Sequence, residues 1–188
     1  KLGKIEGASN QLRGTLFEYI TAEVARKTIS PDVKMNRVFK SSKGQFAEAD
    51  VISVGNSIVT FIECKGYSPY GTIPDEYVKR WLQHNIPIFY EQAKLHPDWK
   101  NLEIRFEFWA TGGMSDEAMH MFETAKKLIK ASRYTVDLKL GPQILKSCKA
   151  TKDAGLLIAF RKHYTKMVAQ HPSPVVGNQG EVVGTLVN

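Results

Sequence analysis

The sequence has little cysteine, no long apolar segment and fewer acidic than basic residues. Two cysteines, Cys64 and Cys148, occur in 188 residues, too few for a disulfide framework or a cysteine-based zinc site. No apolar run approaches the roughly 18 residues of a membrane span. The first residues also lack the apolar core of a signal peptide. These absences argue against disulfide-rich secreted proteins and membrane-spanning proteins and predict a cytoplasmic location without membrane contact.

The charge balance favours a polyanionic partner. The chain carries 26 lysines and arginines against 19 acidic residues, a net charge of +7. Nucleic acid is favoured over a membrane surface because no basic amphipathic helix is evident. A hydrophobic fraction of 43% and this length predict one globular domain over residues 1–170. Residues 171–188, rich in Gly, Pro, Val and Asn, are expected to form a flexible tail or a linker to another domain.

Hydrophobic periodicity predicts an α/β sandwich with a mixed sheet. A first helix is indicated by Leu12, Leu16, Ile20 and Val24, which recur every fourth residue. Pro87 is expected to separate two helices. The predicted helices cover 10–27, 75–84, 88–95, 115–131, 142–149 and 154–169, and the predicted strands cover 33–40, 46–54, 57–65, 102–110 and 133–138.

Two neighbouring predicted strands carry the charged residues of greatest interest. Asp50 lies within the first, and Glu63 and Lys65 close the second, with a Gly55-Asn56 turn between the strands. Side chains alternate along a strand, so Glu63 and Lys65 share a face while Cys64 points away. A hairpin brings Asp50 beside Glu63 and Lys65, with the register uncertain by a residue or two. Two carboxylates and an amine are therefore expected to converge.

This set of groups suits a hard divalent cation. Two close carboxylates repel each other, and a cation between them relieves the repulsion. Oxygen ligands favour Mg²⁺, with Mn²⁺ as a substitute, over zinc. The lysine either stabilises charge on a phosphate or holds and helps to deprotonate an attacking water.

A third acid, Glu18, lies off the apolar stripe of the first helix. Its neighbours one turn away are Gly14 and Ala22, a small-sided surface that a ligand or a sheet edge can approach closely. Whether Glu18 or Glu48 completes the metal site stays open, because Glu48 is predicted to share a strand face with Asp50.

These residues resemble the PD-(D/E)XK nuclease superfamily, the restriction-endonuclease-like phosphodiesterases, over roughly residues 10 to 130. The resemblance rests on Glu18 in the first helix, Asp50 in the second strand and Glu63-Cys64-Lys65 in the third. It implies a three-layer sandwich with a central mixed sheet flanked by helices. It also implies that Asp50, Glu63, Glu18 and the Cys64 carbonyl are metal ligands, and that Lys65 orients water. The family's motif has a proline directly before the acid that corresponds to Asp50, whereas this sequence has Ala49 at that position.

The resemblance implies Mg²⁺-dependent cleavage of phosphodiester bonds, and we expect an endonuclease that cuts DNA in preference to RNA. Restriction, repair or anti-phage defence are the expected settings, with a homodimer or a fused regulatory domain as plausible arrangements. A tRNA-cleaving toxin on the same fold, a catalytically silent nucleic-acid-binding module and a protein-interaction domain remain alternatives. Nucleic-acid contacts are predicted for Lys40, Lys43 and Arg80 through phosphate binding and for Tyr67 through stacking on bases. The resemblance adds Gln92, because related nucleases often carry a helix glutamine near the site.

Overall fold

The computed structural model describes residues 2–129, 134–165, 174–176 and 182–185. Five strands form a mixed sheet in the order β1-β2-β3-β4-β5. The first three strands are antiparallel neighbours, whereas β3, β4 and β5 run parallel. The strands are β1 (Asp32–Lys40), β2 (Phe46–Val54), β3 (Ile58–Lys65), β4 (Glu103–Ala110) and β5 (Tyr134–Leu140).

Helices cover both faces of the sheet, which confirms the predicted α/β class. One face packs against α1 (Leu2–Thr28), α5 (Gly141–Ala150) and α6 (Ala154–Tyr164). The other packs against α2 (Asp75–Arg80), α3 (Ile86–Leu95) and α4 (Asp116–Ile129), with a π-helical turn, Trp81–Asn85, between α2 and α3.

The centre of the sheet is apolar on both sides. Six consecutive residues of β3 are buried, as expected for a strand that is covered by helices on both faces. Phe61, Phe89 and Phe106 pack together on one face, with Phe61 and Phe89 stacked at 5.3 Å between ring centroids. Phe17 and Tyr164 meet on the other face at 5.1 Å. The two cores hold β3 firmly, so the charged residues at its end have a rigid support.

The first helix differs from the prediction in its length and in its buried face. It begins at Leu2, not at residue 10. Leu12, predicted to be part of the apolar stripe, is 70% exposed, while Phe17 and Val24 are fully buried. Leu12 precedes the part of the helix that packs on the sheet, so its apolar character does not lead to burial.

The predicted helix break at Pro87 is wrong. The backbone stays helical from α2 through the π-helical turn into α3, where Pro87 occupies the first turn. The π-helical turn lies directly before Ile86-Pro87, so the backbone hydrogen-bonding pattern changes next to the residue that cannot donate. The helix predicted over 154–169 ends earlier, at Tyr164, because Thr165 has an extended backbone conformation. The end predicted for a helix at residue 131 and the start predicted for a strand at residue 133 lie outside the described residues.

Most of segment 171–188 also lies outside the described residues. Within it, Pro174–Val176 (β6) and Val182–Thr185 (β7) pair as an antiparallel two-stranded sheet. Among the described residues, no helix combines the length and apolar character that crossing a membrane requires.

Candidate active site

The hairpin of β2 and β3 brings Asp50 to the end of β3, as predicted. Val51 pairs with Ile62 in the antiparallel register, which places Asp50 beside Glu63. The backbone N–H of Cys64 donates to Asp50 Oδ2 at 2.7 Å. This bond fixes the orientation of the carboxylate and uses one of its two oxygens.

The ladder between β1 and β2 is irregular at Asp50. Met35 pairs with Val51 and Arg37 with Ala49, but the intervening Asn36 has a φ of +52° and its pairing with Asp50 is interrupted. Asparagine adopts this left-handed conformation more readily than most residues. Ala49 and Val51 consequently contact opposite cores, although alternation alone would place them on one face. The distortion therefore gives the Asp50 side chain a direction that differs from the one in a regular strand.

Glu63 and Lys65 form a short, nearly buried ion pair. Lys65 Nζ donates to Glu63 Oε1 at 2.6 Å, and Glu63 is 8% exposed. The second carboxylate oxygen, Glu63 Oε2, is buried without a hydrogen-bond partner among the described residues. A buried acceptor on a charged group that lacks a partner costs stability. A ligand with positive charge or a donor would satisfy it.

Burial and like charge dominate the ionisation of this cluster. Burial first, and then the neighbouring Glu63 carboxylate, raise the pKa of Asp50 from its usual 3.8 to about 7. Burial opposes the charge on Lys65, but the carboxylates of Glu63 and Asp50 outweigh it and raise the pKa of the amine. Lys65 is therefore an ammonium at neutral pH, and it partly compensates the acids.

Two depressions meet at Lys65. The first cavity, of about 360 Å³, is lined by Asp50, Glu63, Lys65 and Arg80, among others. The second cavity, of about 670 Å³, lies between α1 and the loop after β3 and also includes Lys65. The ammonium group thus stands between two spaces that are open to a ligand.

Glu18 faces the second cavity. Burial raises the pKa of Glu18, the Lys65 ammonium lowers it, and Glu48 and Glu63 raise it further. Glu48 lies on β2 and lines the first cavity with Asp50, as its predicted strand face requires. The four acids are therefore coupled electrostatically, although Glu18 and Glu48 approach from different sides.

A close approach between α1 and β3 positions Glu18. Gly66 directly follows β3, and a Cβ at this position would lie 2.6 Å from the Phe17 Cβ and 3.1 Å from the Arg13 carbonyl oxygen. Only glycine permits this contact without displacement of the helix. Since Glu18 is next to Phe17, the contact fixes the acid near Lys65.

The carboxylates fit a Mg²⁺ site of few protein ligands. Among the described residues, no three His, Cys, Asp or Glu side chains are grouped closely enough to hold a metal ion by themselves. Mg²⁺ usually takes only one or two carboxylates and fills its other positions with water and phosphate. Asp50 and the unpartnered Glu63 Oε2 meet that requirement, and Glu18 is not needed as a direct ligand.

The residues predicted to contact nucleic acid have different positions. Arg80 lines the first cavity and Tyr67 the second. Lys40 Nζ lies 5.5 Å from the centre of the Phe46 ring, and Phe46 lines the first cavity. Lys43 is exposed in the turn before β2. Gln92 lies on α3 and lines neither cavity, so the structure does not bring it to the candidate site.

Two residues that line the first cavity, Tyr77 and Asn85, are not predicted from the sequence. The Tyr77 ring lies 5.6 Å from Lys65 Nζ, a distance that suits a cation–π contact. Asn85 is 8% exposed, and its Oδ1 has no partner among the described residues. Asn85 is one of three polar residues between Trp81 and Ile86, and the π-helical turn that directs it inward has no sequence signature.

Comparisons with known proteins give no functional assignment. No protein-family model matches the chain, and no curated protein matches its sequence. A solved crystal structure, described as a protein of unknown function, AF1548, is similar with a TM-score of 0.43 and 14% identity. The match covers 71% of this chain and 65% of that one, so this chain spans less than two thirds of the solved protein.

Proposed function

We propose that the protein is a Mg²⁺-dependent endonuclease of the PD-(D/E)XK type that cleaves DNA. The observation that carries the proposal is the buried, unpartnered Glu63 Oε2 beside Asp50 and Lys65 at the end of one rigid strand. A structural ion pair would satisfy all of its buried atoms. A site that awaits a cation and a phosphate leaves such an atom unpaired.

The protein's own groups have separable roles in this reaction. Asp50 and Glu63 would hold the cation, and the Cys64 N–H keeps Asp50 in place. When bound, the cation supplies Lewis-acid stabilisation and favours ionisation of a coordinated water. Deprotonated Asp50 is the form that binds a cation, and its pKa of about 7 makes binding stronger as the pH rises through neutrality.

Lys65 acts through its charge. Because its pKa is raised, the amine is protonated at neutral pH and does not take a proton from water. It is placed between the two cavities to donate to a non-bridging phosphate oxygen and to stabilise the charge that develops there. Of the two roles predicted for this lysine, the structure supports phosphate stabilisation better.

The fold and the charge of the chain support the same proposal. A five-stranded mixed sheet with helices on both faces is compatible with the restriction-endonuclease-like sandwich. Arg80 lines the first cavity and Lys40 contacts Phe46 in its wall, where phosphates flanking the cleaved bond would pass. A net charge of +7 favours the approach of a polyanion.

Cleavage of supercoiled plasmid tests the proposal. The purified protein is incubated with Mg²⁺, with Mn²⁺ or with EDTA, and Asp50→Asn and Lys65→Met are compared with Asp98→Asn, which changes an exposed acid outside both cavities. Metal-dependent nicking that is lost in the first two variants and kept in Asp98→Asn is expected.

The other outcomes are equally definite. Cleavage in EDTA, or full activity of Asp50→Asn, contradicts a metal-dependent mechanism at this site. Cleavage of tRNA without cleavage of plasmid or oligodeoxynucleotides replaces the DNA substrate with RNA. Binding of DNA that never leads to cleavage identifies a silent nucleic-acid-binding module.

A further inference from the structure

Asn85 is a buried polar residue that lines the first cavity. Its Oδ1 has no partner among the described residues, and the residue is 8% exposed while lining the first cavity. Nearly all buried polar atoms in proteins are hydrogen-bonded, and an unpaired one is destabilising. The amide is therefore expected to serve a group that enters the cavity.

The π-helical turn holds this amide rigidly. Trp81 and Asn85 are the buried residues of the turn. The Trp81 ring packs against Phe108 at 5.2 Å and Phe122 at 6.0 Å between ring centroids. Such turns often mark functional positions in helices. An anchored tryptophan at one end of the turn fixes the direction of the asparagine at the other.

The chemistry of the amide restricts what it can bind. A phosphodiester offers only acceptors, so it cannot satisfy the unpaired carbonyl oxygen of Asn85. A nucleobase edge presents donors and acceptors side by side, and asparagine amides pair with such edges. Among the parts of a DNA strand, the group that suits Asn85 is therefore a base, because the bases carry the hydrogen-bond donors.

The remaining walls of the cavity suit the faces of a base. Val38, Phe46, Ala47 and Tyr77 line it beside the amide. Phe46 is 56% exposed, an unusual condition for a phenylalanine on a strand. Bases stack on aromatic rings in single-stranded complexes. A base that is paired inside a duplex offers neither its faces nor its pairing edge to such a pocket.

We propose that the first cavity is a nucleobase subsite that accepts an unpaired base next to the phosphodiester bond to be cleaved. Asn85 hydrogen-bonds the edge of the base, and Phe46 and Tyr77 contact its faces. Asp50, Glu63 and Lys65 line the same cavity, so the adjoining phosphate reaches them. The inference rests on the proposed nuclease function, and it makes unpaired DNA the preferred substrate.

Binding of oligonucleotides with single missing bases tests the subsite. A labelled 12-nucleotide single strand and a set of copies, each with one abasic position, are titrated by fluorescence anisotropy into the catalytically silenced Asp50→Asn protein with Mg²⁺ at low salt. One abasic position is expected to weaken binding about tenfold, the size expected for a lost base contact. In the Asn85→Leu protein in the same background, that penalty shrinks to less than about twofold.

Asn101→Ala is the matched control, because Asn101 is an exposed asparagine outside both cavities. It is expected to retain the tenfold penalty of the abasic position. The wild-type protein is expected to cut the single strand at least about tenfold faster than the same sequence as a duplex. Thermal unfolding reports whether Asn85→Leu is folded, and the abasic series with Asn85 intact does not depend on that variant.

The outcomes separate the inference from the function on which it rests. Metal-dependent cleavage of DNA with no penalty at any abasic position, or with an undiminished penalty in folded Asn85→Leu, overturns the nucleobase subsite alone. Equal or faster cleavage of duplex also overturns it. A protein that neither binds nor cleaves any oligonucleotide overturns both the subsite and the proposed function.

Discussion

Replacing Asp50 with asparagine should stabilise the metal-free protein at alkaline pH. Burial and the neighbouring Glu63 raise the pKa of Asp50 from 3.8 to about 7 in the folded protein. A rise of about three pH units corresponds to about 4 kcal/mol of unfavourable free energy when the group is ionised. The asparagine amide oxygen still accepts from the Cys64 N–H, so the local hydrogen bond is kept while the charge is removed.

The direction of the pH dependence follows from which state holds the proton. Below about pH 4 the carboxyl is protonated in both the folded and the unfolded chain, and it has no effect on stability. Between pH 4 and 7 the unfolded chain releases this proton while the folded chain keeps it, so the free energy of unfolding falls as the pH rises. Above pH 7 the whole penalty is present.

Urea denaturation in EDTA at pH 5 and pH 8 measures this effect. Asp50→Asn is expected to increase the free energy of unfolding at pH 8 by about 3 to 4 kcal/mol and by less at pH 5. Asp98→Asn, an exposed control, should change stability by less than about 0.5 kcal/mol at either pH. If Asp50→Asn is no more stable than the wild type at pH 8, ionised Asp50 does not destabilise the metal-free fold, and the reasoning from its raised pKa is refuted.

Two further substitutions test the packing that supports the site, by the same denaturation assay. Gly66→Ala places a Cβ 2.6 Å from that of Phe17 and should cost about 1–3 kcal/mol; an unchanged stability would show that α1 is free to move away. Glu107→Ala removes the carboxylate that lies 2.8 Å from Lys139 Nζ and that accepts a hydrogen bond from the Trp109 indole N–H. It should cost about 3 kcal/mol, and a loss below about 1 kcal/mol would contradict a structural role for this buried acid.

The parts of the site that sequence predicted well are those specified locally. The β2–β3 hairpin follows from two apolar runs around Gly55-Asn56, and its register brings Asp50 to Glu63 as expected. The helix predicted from residue 115 begins at Asp116 as α4, and Ser115 caps it by accepting from the Ala118 N–H at 3.0 Å. Short-range patterns determine such features, because each depends on residues a few positions apart.

The parts that sequence did not predict depend on contacts between distant segments. Asn85 is turned into the first cavity because Trp81 is anchored on β4 and α4, and periodicity carries no signal for a π-helical turn. Leu12 follows the apolar spacing but lies beyond the packed part of α1, so it stays exposed. The irregular pairing at Asn36 likewise places Ala49 and Val51 of β2 on opposite sides of the sheet, whereas strict alternation would place them on the same side.

The proposed site requires above all that Asp50 and Glu63 share one divalent cation. Calorimetric titration with Mn²⁺ at pH 8 measures the affinity and the number of such cations directly. One site per chain is expected in the wild-type protein, with binding weakened at least about tenfold in Glu63→Gln. Glu117→Gln, which alters an exposed acid on α4, should bind as the wild type does. Mn²⁺ binding of equal strength in Glu63→Gln, or no binding to the wild type, would contradict the proposed site.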